Sequence, residues 1–169
     1  MVPTPLASSG WRRYLRLQYR LIRSADPLAR ALWHAGALGI TGELEVAGRR
    51  TGRSRRVLLG ILQVDGRRYV GHPNGEVAWT ANLAAAGRAS LAMPGQAGQA
   101  VTATPLCPGP ERTAVIVATA RQQPFPGNVV YRLARRHILA VGRYFRLDPP
   151  VERLARVAPA TGRPFADDG

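Results

Sequence analysis

Apolar and basic positions between Trp11 and Arg23 recur with a helical period. Trp11, Tyr14, Leu15, Gln18 and Ile22 share one face, and Arg12, Arg16, Arg20 and Arg23 form another stripe. Asp26-Pro27 supplies an N-cap followed by a proline at the first helical position, which predicts a second short helix to about Trp33. The period then changes to two. In GELEVAG (42–48), Leu44 and Val46 point one way and Glu43 and Glu45 the other, as in a half-buried strand. VLLGILQV (57–64) is apolar without alternation and predicts a strand buried on both faces. Asp65-Gly66 is a strong hairpin dipeptide, and 67–72 is the return strand.

Pro73-Asn74-Gly75 ends that strand, and 78–87 predicts a short helix closing on Gly87. Segments 88–93 and 100–106 flank a glycine-rich turn and predict another hairpin. Pro110 opens a helical run within 108–123, 129–141 predicts the last helix, and 143–147 a closing strand. Strands joined by short turns, with helices set between them, indicate an α+β fold rather than regular βαβ alternation. Five or six short strands of this kind have to curl or close to avoid exposed edges. The expected organisation is an N-terminal helical segment (1–41), a body at 42–148 and a flexible C-terminal tail at 149–169, where Pro, Gly and Asp dominate.

Composition narrows the function classes. The 169 residues are 46% hydrophobic and 20% charged, which is ordinary globular usage. All 24 basic residues are arginine against 10 acidic ones, giving a net charge of +14. Arginine forks suit phosphates and carboxylates better than a lysine point charge does. A single cysteine, Cys107, excludes an internal disulfide framework and is expected to be a small packing residue. The three histidines and Cys107 lack metal-ligand spacing, so no metal site is expected. There is no apolar leader core and no membrane-spanning run, so the expectation is a cytoplasmic protein.

The densest chemical feature is Gly48-Arg49-Arg50-Thr51-Gly52-Arg53-Ser54-Arg55-Arg56, set between two predicted strands. Glycines let backbone N–H groups approach an anion, and the arginines neutralise it; the alternative is a solvated basic turn. It is not a Walker loop. The charge would also suit nucleic acid, but no helix-turn-helix, aromatic RNP pair or zinc site accompanies it. No serine sits in a nucleophile elbow, and Glu43 and Glu45 lack the partners that acid–base hydrolysis needs. His34 and His137 read as structural, whereas His72, at a strand end, can reach a pocket mouth. Trp79 and Asn82 lie three apart on one helical face, where they can hold a flat ring and satisfy its polar edge, or form a core Trp with a capping Asn.

Three segments together resemble the deazaflavin (F420)-dependent nitroreductase and quinone reductase family: GRRTGRSRRVLL (48–59), DGRRYV (65–70) and AWTANL (78–83). Order, spacing and strand context agree over about 42–106. The resemblance implies a split β-barrel like that of FMN-binding oxidases, with coenzyme F420 in a groove; FMN, or no cofactor, is the alternative. By position, Arg49, Arg50 and Thr51 would hold its phosphate or oligoglutamate tail, Arg55 would be the second basic position, and Trp79 and Asn82 would flank the deazaflavin. Leu58 stands where the family carries proline, and Gly-His-Pro-Asn-Gly (71–75) is shorter than the family's loop, so His72 and Asn74 would take over ring contacts. Tyr131 and Tyr144 would wall the acceptor pocket or donate a proton. The implied activity is hydride transfer to a quinone, nitroaromatic or similar acceptor. A lipid or small-ligand carrier on the same barrel and a basic nucleic-acid-binding protein are the competing classes. The basic N-terminal helix would suit peripheral contact with an anionic membrane, and a homodimer is a further expectation.

Overall fold

The computed structural model describes residues 8–24, 26–35, 40–123 and 125–150. The expected tail from 151 onward lies outside the described residues. Two helices, α1 (Ser9–Ser24) and α2 (Asp26–His34), precede the sheet. Strands β1 (Thr41–Ala47), β2 (Ser54–Gly60), β3 (Leu62–Val64) and β4 (Arg67–His72) follow, then helix α3 (Ala78–Ala86). Next come β5 (Arg88–Ala92), β6 (Gln99–Pro105), α4 (Pro110–Gln122), α5 (Gly127–Leu133), α6 (Arg135–Val141) and β7 (Arg143–Asp148).

All strand pairs are antiparallel, in the order β2-β1-β5-β6-β7-β4-β3. The two outermost strands, β2 and β3, are separated in the chain by Ile61 alone. In a flat seven-stranded sheet those edges would lie roughly 29 Å apart, a gap that one residue, reaching about 3.5 Å, cannot cross. The sheet is therefore curled until its edges meet at Ile61, and the α+β fold is a split β-barrel. This corrects the expectation of one continuous strand over 57–64: the apolar run is two strands joined at a corner. Ile61 is 1% exposed and its N–H donates to the Ile40 carbonyl.

Two cores result. Leu44, Val46, Ile61, Val70, Leu83, Leu91 and Phe145, with Trp79 from α3, fill the barrel. On its outer face Leu62, Tyr69 and Tyr144 pack against Val115, Ile116, Ala134 and Ile138 of the α4–α6 segment. β4 and β7 are covered on both faces, which is why neither alternates cleanly. The expected single helix at 129–141 is broken: Ala134, fully buried at φ −80 and ψ 2, bends the chain between α5 and α6. The bend seats Ala134 and Ile138 in the outer core and leaves Leu133 in solvent. Cys107, expected to pack, is exposed.

The outer edge of β3 is paired by a side chain. Gln122 Oε1 accepts the Gln63 N–H at 3.0 Å, and its Nε2 donates to the Gln63 carbonyl at 2.6 Å.

Gly42 packs against the Ile61 side chain at the corner. A Cβ there would lie 2.9 Å from Ile61 Cγ1 and 3.0 Å from Leu91 Cδ1. Gly42→Ala is expected to destabilise by about 1–3 kcal/mol through overpacking, and Ile61→Ala by about 2–5 kcal/mol through the cavity left behind. Because each change relieves the other, urea unfolding of the double variant should show a loss smaller than the sum. Strict additivity would mean the corner is not packed as described.

Candidate functional site

The arginine-rich segment forms a closed turn between β1 and β2. Gly48 N–H donates to the Arg53 carbonyl (2.9 Å) and Gly52 N–H to the Gly48 carbonyl (2.8 Å). Arg53 N–H donates to Thr51 Oγ1 (3.4 Å), and Arg49 N–H to Asn82 Oδ1 on α3 (3.2 Å). Gly52 has φ +68, a conformation that favours glycine. These four N–H groups are therefore committed within the protein, and the anion chemistry of the turn rests mainly on its guanidiniums. Arg49, Arg50, Arg53 and Arg55 are exposed and form no ion pair among the described residues. Arg56, by contrast, bonds Glu45 at 3.0 Å, and Arg30 pairs with Glu43, so the two carboxylates of β1 are neutralised in place. Ser54 Oγ also donates to Glu45 at 2.5 Å, and that bond, ahead of the Arg56 charge, holds the Glu45 carboxyl below its usual range.

Two elements run from this turn to a cavity. Along β2, Arg55, Val57 and Leu59 pair with Val46, Leu44 and Gly42 and so lie on the same, inward face as those residues of β1. Along α3, Asn82 ties the turn and Trp79, three residues earlier, lies at the cavity wall. Thr80 fixes the start of that helix: its Oγ1 accepts the Val77 N–H and donates to the Val77 carbonyl, both at 2.9 Å. The cavity, about 210 Å³, is walled by β2 (Val57 to Gly60), by Gly71, His72 and Trp79, by Tyr131 and Tyr144, and by Leu15, Gln18 and Tyr19 of α1. The structure thus brings together four of the expected site residues: His72, Trp79, Tyr131 and Tyr144. Asn82 does not line the cavity.

Tyr144 is the least satisfied group in it. It is 2% exposed, and its hydroxyl has no hydrogen-bond partner. The Thr119 hydroxyl lies near enough to oppose the upward shift of the phenol, but its own proton goes to the Val115 carbonyl at 2.8 Å. Burial, with Tyr131 nearby, pushes the Tyr144 phenol far above the ordinary range, and burial pushes Tyr131 up to about 12. Both stay protonated at neutral pH. Tyr144 pairs with Gly71 across β4 and β7, and a Cβ on Gly71 would run into its ring. A glycine in a strand interior is the one sequence signal for this close approach.

His72 packs edge-on against Tyr19 (5.1 Å between centroids) and Trp79 (6.5 Å). Its Nδ1 accepts the Asn74 N–H at 3.3 Å, which leaves the proton of the neutral ring on Nε2. The Asn74 amide is itself engaged: Nδ2 donates to the Arg12 carbonyl (3.2 Å) and Oδ1 contacts His137 Nε2 (3.1 Å). His137 Nδ1 accepts the Ser8 N–H at 3.2 Å. Asn74 thus clasps α1 to the barrel, and His137 is structural as expected. On α1, Leu15 turns inward, while Tyr14, expected on the same face, is 47% exposed; the side chains of Arg20, Ile22, Arg23 and His34 lie outside the described residues. The sequence reading passed over Tyr19, Gly60 and Thr119, all part of the wall. Among the described residues, no helix is long and apolar enough to cross a membrane, and no group of three or more His, Cys, Asp or Glu could hold a metal.

No protein-family model matches the chain, and no curated protein matches it in sequence. Solved structures do match in shape. One is an F420-H2-dependent reductase (FDR-A), with a TM-score of 0.52 at 18% identity over 65% of this chain and 95% of that one. A structure described as a domain-swapped dimer has a TM-score of 0.51 at 15% identity, over 78% of this chain and 99% of that one. A pyridoxamine 5'-phosphate oxidase-related, FMN-binding protein from Nostoc punctiforme PCC 73102 is more distant, with a TM-score of 0.47 at 15% identity over 73% of this chain and 78% of that one. At these identities the first two likenesses establish a shared fold, and the third carries no argument.

Burial holds His72 down at about 4, from an ordinary 6.5. Between those values the unfolded chain binds a proton that the native ring does not, so stability falls as pH drops from about 6.5 to about 4. The total is roughly 3 kcal/mol. His137, held down by burial and then by Arg12, acts in the same sense. Urea unfolding of His72→Gln across that window should show a shallower acid loss than the parent; an unchanged slope would contradict the burial. Tyr144→Phe removes a buried hydroxyl with no partner, and a gain of about 1 kcal/mol or more is expected in the same assay.

Proposed function

We propose that the protein is an oxidoreductase that passes a hydride from reduced coenzyme F420 to a planar, electron-poor acceptor such as a quinone or nitroaromatic. The observation that carries this reading is the link, along β2 and α3, between a turn of unpaired arginines and an aromatic-walled cavity holding an unpartnered phenol. The two ends differ in chemistry as the two ends of such a coenzyme do: an anionic phosphate and oligoglutamate tail, and a flat ring with polar edges. The shared fold with an F420-H2-dependent reductase supports the assignment. FMN, also a flat ring with a phosphate, is the alternative occupant.

The residues fit such a group. Arg49, Arg50 and Arg55, with the Thr51 hydroxyl, would hold the anionic tail through charge-assisted bonds. Trp79 gives the ring a rigid wall, fixed from behind by Phe145 at 6.5 Å between centroids. Gly71 lets the Tyr144 ring lie flat against β4 and form part of the wall. When bound, the reduced deazaflavin supplies a hydride from its C5 carbon, and the protein contributes orientation, exclusion of water and polar contacts. Leu15 and Tyr19 of α1 cover the cavity from outside. Tyr144 remains protonated, so its hydroxyl can donate to an oxygen of the acceptor and hold a proton where negative charge develops. His72, neutral at pH 7, adds no positive charge to the ring site.

Titration of the protein with oxidised F420, FMN and FAD, followed by fluorescence, is expected to show saturable F420 binding. Arg50→Ala and Arg55→Ala should each weaken it about ten-fold or more without unfolding the chain, since a hydrogen bond to a charged group is worth roughly 1.5–3 kcal/mol. Tyr144→Phe should leave F420 affinity intact and lower turnover. Failure of all three cofactors to bind would leave a ligand carrier as the better reading. Tight FMN binding without F420 binding would reassign the cofactor.

A further inference from the structure

Beside the cavity lies a second cleft of about 430 Å³ that the reading above does not use. Its walls are Arg12, Arg16 and Tyr19 of α1, the turn from His72 to Val77, Val141 at the end of α6 and Arg143 at the start of β7. Tyr19 and His72, packed edge-on against each other, line both spaces, so the cleft and the cavity adjoin across this pair. The cleft carries a net positive charge. Glu76, the one carboxylate in its wall, is bonded to Arg143 at 3.0 Å. Arg12 and Arg16 have no acidic partner among the described residues.

Their placement is unfavourable without a counter-charge. Arg12 and Arg16 stand four apart on one helical face, where like charges destabilise a helix. The Arg12 charge also falls on His137, one of the groups that clasp α1. Yet Asn74 Nδ2, bonded to the Arg12 carbonyl, anchors the helix with this pair over the cleft. An anion seated between the two guanidiniums would remove both penalties.

We infer that this cleft binds the carboxylate or phosphate of an anionic acceptor whose planar ring enters the adjoining cavity. This rests on the reductase reading for the word acceptor, but not for the anion site itself. The cofactor's own phosphate is a rival source of the same chemistry. However, the unpaired arginines of the 48–55 turn lie at the β2 end of the cavity, whereas the cleft lies on the other side of Tyr19 and His72, against α1 and the start of β7.

The probes are 4-nitrobenzoate and its uncharged isostere 4-nitrobenzamide, measured by calorimetry on cofactor-free protein. The benzoate should bind about ten-fold more tightly, as a charge-assisted bond implies, and the preference should shrink as salt rises. Arg12→Gln/Arg16→Gln should erase the preference. Arg121→Gln/Arg132→Gln, which removes two exposed charges elsewhere, should retain it. In the loaded enzyme, Arg12→Gln/Arg16→Gln should raise KM for the benzoate about ten-fold, with kcat and the amide's KM held. Equal affinity for the two compounds, binding of neither, or a preference that survives in Arg12→Gln/Arg16→Gln overturns the inference. So does a ten-fold loss of F420 affinity in that variant, which would assign the cleft to the coenzyme's phosphate. If F420 fails to bind the parent protein while the benzoate preference stands, the reductase reading falls and the anion site remains.

Discussion

A single buried residue, Ile61, carries the chain from one edge of a seven-stranded sheet to the other. Everything else in the barrel is compatible with that short step or it does not form. The curl brings the end of β2 beside β4 and β7, which a flat sheet would hold far apart. The cavity lies at this junction, with Val57 to Gly60 from one edge and Gly71, His72 and Tyr144 from the opposite half of the sheet. The site is thus a product of closure, and Gly42 is present because the corner side chain needs the space above it.

Charge is sorted along the site. His72, Tyr131 and Tyr144, which face the cavity, are held in their neutral forms at pH 7 by burial. The arginines stand outside, at the 48–55 turn and along α1. An uncharged interior with cationic approaches draws anionic groups to the rims and leaves a ring in a low-dielectric space, where a single hydroxyl donor acts more strongly than it would in water. The orphaned Tyr144 hydroxyl fits that division: a group kept unsatisfied in the protein alone is available to a ligand.

Much of the fold was legible because its signals are local. Asp65-Gly66, the alternation at 42–48, and Pro110 followed by a helical period each report the geometry of their own few residues. The corner at Ile61 was not legible, since Gly60-Ile61-Leu62 reads as unbroken apolar strand and only the pairing of distant edges demands a break. The same holds at Ala134, where a strong helix former sits at a bend set by packing. In the site, Trp79 and the arginine turn stood out by composition, and His72 by its place at a strand end. Tyr19 and the Arg12–Arg16 cleft did not, because they depend on how α1 lies across the barrel. Asn74 was expected at the ring; its amide has a different task, and amide partners are invisible in a linear pattern.

Gln122 closes the remaining weakness of an open barrel. β3 is three residues long, and its outer backbone meets a primary amide that donates and accepts at once, as a neighbouring strand would. A carboxylate could accept there but not donate. At β3 the sheet therefore ends on a helix side chain instead of on bare peptide groups, and that edge offers a second molecule no free pair of backbone groups at Gln63. At the β3 end of the sheet, that amide occupies the place that a strand from a second molecule would need.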